Sequence, residues 1–126
     1  MLKGLLVFLG AGLGGLARYG AGDLLHRWAP RSFPWGTLAV NVLGCFAMGV
    51  LMYLFDERQA LSERQRAFLM VGILGGFTTF SSFGWEWFAL WRDGRHGAAT
   101  LYAAASLLLS LGAVVAGRAS AKLAGW

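Results

Sequence analysis

Three runs without a charged side chain dominate the pattern of the chain: residues 32–55, 67–85 and 97–117, which are 24, 19 and 21 residues long. A helix rising about 1.5 Å per residue needs roughly 20 such residues to cross the hydrocarbon core of a bilayer. Each run therefore predicts a membrane-spanning helix. A fourth apolar run, residues 4–17, holds 14 residues before Arg18 and then resumes to Leu25, with Asp23 near its end. It reads as a further span with a buried or snorkelling arginine rather than as a signal peptide, because no convincing small-residue cleavage site follows the glycines after Leu13. The predicted helices cover residues 2–26, 35–55, 62–91 and 97–122, with links at 27–34 (which holds two prolines), 56–61 and 92–96. No link is long enough to separate domains, so residues 1–126 are expected to form a single four-helix transmembrane domain of the all-α class.

Composition strengthens this picture. Apolar residues make up 57% of the chain and charged residues 13%, against about 45–50% and 25% in ordinary globular proteins. A net charge of +5 raises the question of nucleic acid, but ten of the eleven Lys and Arg fall at span ends or in links, as a bilayer demands. A nucleic-acid partner is not expected. Cys45 stands alone in mid-span, which rules out an intrachain disulfide and reads as packing. His26 and His96 lie near span ends, outside any cluster with metal-ligand spacing, and no nucleophile–base pair marks an enzyme.

An even number of spans puts both termini and the middle link on one side of the membrane. That side carries Lys3, Arg58, Arg64, Arg66, Arg118 and Lys122; the other carries Arg27, Arg31, Arg92 and Arg95. Six against four is a weak positive-inside bias. It is compatible with insertion in both orientations and with an antiparallel dimer about an axis in the membrane plane. Gly10 with Gly14, and Gly72 with Gly76, have the four-residue spacing that lets helix backbones approach. Most of the six tryptophans fall near span ends, as an aromatic belt would.

Polar side chains inside a membrane are costly, so they line a pathway or join helices. Here they form one stripe on each of three spans: Thr37, Asn41 and Gly44; Thr79, Ser82 and Glu86; Tyr102, Ser106 and Ser110. Ser and Thr can instead bond the carbonyl four residues back, and that alternative stays open for each of them. Asn41 differs, since one local carbonyl cannot satisfy its two amide donors. The most distinctive segment is Gly75-Gly76-Phe77-Thr78-Thr79-Phe80-Ser81-Ser82-Phe83. Paired glycines followed by β-branched and hydroxylated residues are poor helix formers, so the third helix is expected to be broken at mid-span. Irregular backbone at that depth occurs only around a cavity or an ion, and freed carbonyls suit a hard cation. Phe80 and Phe83 either direct positive ring edges at an anion or pack as ordinary membrane phenylalanines. Arg18 admits three readings: an anion vestibule, a carboxylate pair, or snorkelling. Asp23 and Arg27 have the spacing of a local ion pair.

Three blocks together resemble the fluoride channel family often called CrcB or Fluc: Gly15-Leu16-Ala17-Arg18-Tyr19, the run from Gly36 to Gly44, and the run from Gly75 to Phe83. The resemblance covers essentially the whole chain, although the family block more usually ends Thr-Phe where this chain has Ser82-Phe83. It implies a fluoride-selective channel in the inner (plasma) membrane that passively exports fluoride, built as a dual-topology antiparallel homodimer with two pores. It further implies a structural sodium ion held by the backbone carbonyls of Gly75 and Thr78. Phe80, Phe83 and Asn41 would border the fluoride path, with Thr79, Ser82, Glu86, Tyr102, Ser106 and Ser110 on its polar side and Arg18 at a vestibule. Two rival classes remain. A small proton-coupled multidrug transporter would need a carboxylate deep in the first span, where this chain has Arg18; a non-transporting assembly subunit would use the polar stripes as glue.

Overall fold

The computed structural model describes all residues, Met1–Trp126, and contains helices and short links only. Helix α1 covers Leu2–Trp28 and α2 covers Trp35–Glu57, its last turn widened into a π-helix over Tyr53–Glu57. The third span, Glu63–Arg92, consists of α3 (residues 63–77, π-helical over Ala67–Leu74) and α4 (Phe80–Arg92). Helix α5 covers His96–Leu123. All four spans are long and apolar enough to cross a membrane, and their ends fall within two residues of the sequence-based boundaries.

Local chemistry sets those ends. Ser62 and Gln65 form a capping box at the start of α3: the Gln65 N–H donates to Ser62 Oγ (3.3 Å) and the Ser62 N–H to Gln65 Oε1 (2.8 Å). Helix α4 stops at Gly94, whose φ of +74° suits glycine. There the Arg95 N–H reaches the Leu90 carbonyl (2.9 Å) and closes a Schellman-type turn.

Helix α1 packs on α3, α2 packs on α5, and α1 also touches α2. Glycine makes the first two pairings possible. A Cβ on Gly14 would stand 2.1 Å from the Ile73 carbonyl oxygen, and one on Gly76 2.4 Å from that of Ala11. Gly10 and Gly72 meet each other in the same way. The α2–α5 pair uses Gly49, against the Val114 carbonyl, and Gly117, against that of Phe46. The two ends of the bundle are tied separately. Lys3–Glu63 (3.4 Å) and Arg118–Glu57 (2.6 Å) join the elements at the end holding both termini, while Arg95 donates to the Ser32 carbonyl at the opposite end. Asp23 and Arg27 make no ion pair. Leu38, Leu90, Ala99 and Tyr102 form the apolar core between α2, α4 and α5.

Candidate ion pathway

Between α3 and α4 the backbone leaves the helical region. Thr78 (φ −82°, ψ 157°) and Thr79 (φ −152°, ψ 119°) are both extended. In an unbroken helix the Thr79 N–H would bond the Gly75 carbonyl and the Ser82 N–H would bond that of Thr78. Here the Thr79 N–H donates to Asn41 Oδ1 (2.7 Å) and the Ser82 N–H to Thr79 Oγ1 (3.2 Å). Asn41 Nδ2 returns a bond to the Thr79 carbonyl (2.9 Å). The asparagine amide thus acts as a peptide surrogate, pairing with both backbone groups of Thr79 in a site where an orphaned group would be costly. Three residues on, Gly44 makes room: a Cβ there would fall 2.3 Å from Thr78 Cγ2. Asn41 and Gly44 share one face of α2, and that face cradles the extended pair.

The redirected bonds leave the Gly75 and Thr78 carbonyls without their helical donors. Thr78 O receives one 3.3 Å bond from Arg18 Nη1, which brings Arg18 to the middle of the third span rather than to a carboxylate. Of its two amide N–H donors, Asn41 uses one on Thr79.

Beside this segment lies a cavity of about 170 Å³ with Val40 as its one hydrophobic lining residue. Arg18, Thr37, Thr79, Ser82 and Glu86 contribute side chains to it. Glu86 is doubly held: Thr37 Oγ1 donates to Oε1 and Tyr102 Oη to Oε2, both at 2.7 Å. Tyr102 is 0% exposed, packed under Phe33 and Phe83 at ring separations of 5.4 and 5.1 Å. The three polar stripes therefore converge through α2, α4 and α5.

Other hydroxyls stay local or stand unpartnered. Thr78, Thr100 and Ser120 bond carbonyls three or four residues back on their own helices, the local pattern left open by the sequence. Ser106 does not; its Oγ is buried with no partner. Ser110 is partly buried with no hydrogen bond from its side chain. Phe80 and Phe83 lie 5.3 Å apart, yet Phe80 is 84% exposed on the outside of the chain, as is Gly75. Sequence reasoning overlooked Phe33 as the cover of Tyr102, and Gly22, His26 and Gly36 as cavity walls. It also overlooked the Gly49–Gly117 seam, although Cys45/Gly49 and Ala113/Gly117 carry the small-residue spacing that would have flagged it.

Comparison with known proteins agrees with this architecture. Residues 5–118 match the family model described as CrcB-like protein, Camphor Resistance (CrcB). The chain is 51% identical over 115 residues to a protein of Rhodospirillum centenum named fluoride-specific ion channel FluC, covering 91% of each chain. It is 51% identical over 111 residues to a protein of the same name from Thermus thermophilus, covering 88% of each, and 44% identical over 115 residues to that of Granulibacter bethesdensis, covering 91% of each. With four membrane-competent helices and matches of this extent, the chain is a multi-pass membrane protein of the CrcB family.

Proposed function

We propose that this protein is a fluoride-selective channel of the inner membrane that lets fluoride leave the cell passively, and that it works as an antiparallel dual-topology homodimer. The observation that carries the reading is the third span at Thr78 and Thr79, stitched to Asn41 beside a polar cavity in an otherwise apolar bundle. The names of the relatives point to the same ion. Asn41 has an amide donor left for an anion, and Ser106 has an unengaged hydroxyl. Exchanging part of a hydration shell for such fixed donors favours a small, strongly hydrogen-bonding anion. Phe80 and Phe83 would border the path with their ring edges. The exposure of Phe80 and Gly75 is what a second copy would cover, so each pore would be completed across the dimer.

The carbonyls of Gly75 and Thr78 lack their helical donors and are the hard oxygens that would hold a structural sodium ion, that of Thr78 while also accepting the 3.3 Å bond from Arg18. Bound there by both copies, sodium would supply fixed positive charge and hold the interrupted segments together. Fluoride efflux from liposomes holding only the purified protein tests the reading, with chloride in parallel. Rapid fluoride release without chloride release is expected. Release of neither ion by a folded dimer overturns the channel reading.

A further inference from the structure

The link between α1 and α2 sends one side chain into the bundle, and its backbone is shaped to do so. Pro34 sits at φ −80° and ψ 63°, and the Trp35 N–H donates to the Phe33 carbonyl (2.9 Å), which closes an inverse γ-turn. The proline ring fixes its own φ and disfavours helical backbone at the residue before it. This turn sets the Phe33 ring against Trp35, with centroids 4.7 Å apart, and in a T-shaped contact with Tyr102 at 5.4 Å and 79°. On the other side of Phe33, Arg95 donates to the carbonyl of Ser32. Arg95 is itself anchored, through its own N–H, to the Leu90 carbonyl (2.9 Å). Phe33 is thus pinned from both directions along the chain.

We propose that Phe33 is a positioning residue for the ion pathway: its ring holds Tyr102 at the angle that keeps the Tyr102 hydroxyl on Glu86. The inference rests on the channel reading above. Tyr102 is fully buried, and its ring lies between those of Phe33 and Phe83. The hydroxyl stands at the far end of the ring from the backbone, so a tilt of the ring carries it away from Glu86 Oε2, now at 2.7 Å. Hydrogen bonds weaken steeply with such misalignment, and an edge contact between aromatic rings is directional where aliphatic packing is not. Thr37, four residues beyond Phe33, donates to the other oxygen, Oε1, at 2.7 Å. The segment from Phe33 to Thr37 therefore restrains both oxygens of one carboxyl group in the cavity beside Thr79, Thr37 directly and Phe33 through Tyr102.

The test is a double-mutant cycle on fluoride efflux from liposomes, with wild type, Phe33→Ala, Tyr102→Phe and the double variant, each reconstituted from its monodisperse size-exclusion peak. Tyr102→Phe keeps the ring and removes the hydroxyl. One hydrogen bond corresponds to about fivefold, so Tyr102→Phe should lower flux about fivefold and Phe33→Ala, which loosens the bond, about threefold. In the double variant flux should equal that of Tyr102→Phe alone, because no bond is left to position. A ring that only packs would lower flux by the same factor in both backgrounds, and that result overturns the proposal. Wild-type flux in either single variant overturns it as well. Where Phe33→Ala gives no monodisperse peak, Arg95→Met takes its place, since it releases the Ser32 carbonyl from an exposed position. It should lower flux in the wild-type background and not in Tyr102→Phe; an equal loss in both again overturns the proposal. Absence of wild-type fluoride flux overturns the channel reading and this inference with it.

Discussion

Two regions of the bundle use small residues to bring helices together, and they do it for different ends. In the seam between α1 and α3, Gly10, Gly14, Gly72 and Gly76 let backbone meet backbone, and the side-chain bond between these helices, Lys3 to Glu63, lies at the exposed end of the bundle. At the extended pair Thr78 and Thr79, Gly44 clears space in the same way, but Asn41 then stitches the pair with two hydrogen bonds. The seam is held by shape. The extended pair is held by a polar side chain replacing backbone partners, and the replacement leaves the Gly75 carbonyl and one Asn41 amide donor free. Shape alone makes a scaffold, whereas a stitched irregularity makes a scaffold with chemistry left over.

The largest effect that would break the comparison belongs to the seam. Gly14→Val places a Cβ 2.1 Å from the Ile73 oxygen, against backbone that cannot rotate away. Overpacking of this kind costs about 1–3 kcal/mol in soluble cores where side chains can shift, and here only helix separation relieves it. No monodisperse protein is expected on size exclusion. A well-folded Gly14→Val would show that α1 does not sit on α3 as described.

Asn41→Ala comes next. It strips partners from the N–H and carbonyl of Thr79, a residue only 9% exposed. Each buried orphan costs about 1–3 kcal/mol, so thermal stability in detergent should fall. Fluoride flux should fall at least about tenfold, the loss expected of the amide donor proposed to meet the anion. A variant that loses stability but keeps full flux would turn Asn41 into stitching only.

These two regions also differ in how far they were legible in the sequence. The seam was visible as four-residue glycine spacing, and the spans as charge-free runs, because sterics and desolvation act on residue type and position alone. The polar stripes were visible too. That Glu86 receives Thr37 and Tyr102, and that Asn41 turns to Thr79 rather than to a local carbonyl, was not legible. These partners lie 49, 16 and 38 residues apart, and helical periodicity says nothing about which stripe meets which. The π-helical turns at Tyr53–Glu57 and Ala67–Leu74 left no signal either, since their residues are ordinary helix formers in a membrane.

Phe80→Ile separates chemistry from shape more sharply. The ring stands on the outside of the chain and meets Phe83 at 5.3 Å, so its loss opens no cavity in the core. Elution and thermal stability should stay near wild type while fluoride flux drops several-fold. Normal flux would remove ring edges from the path and leave Phe80 as packing.

The smallest expected effect lies at a glycine outside both regions. Gly12 sits on α1 between Gly10 and Gly14, but a Cβ there meets nothing within 4 Å, whereas its two neighbours collide with α3. If close approach is what the seam requires, Gly12→Ala should leave elution and flux unchanged and shift thermal stability upward by at most about 1 kcal/mol, the usual gain in helix propensity. The contrast with Gly14, two residues away on the same helix, makes this variant useful. Both carry the same residue type at the same depth, so membrane propensity cannot separate them and only the neighbour can. Should Gly12→Ala instead shift elution to a smaller species while the chain stays folded, Gly12 would lie against a second copy, and the outer face of α1 would join Phe80 and Gly75 in the surface that the proposed homodimer buries.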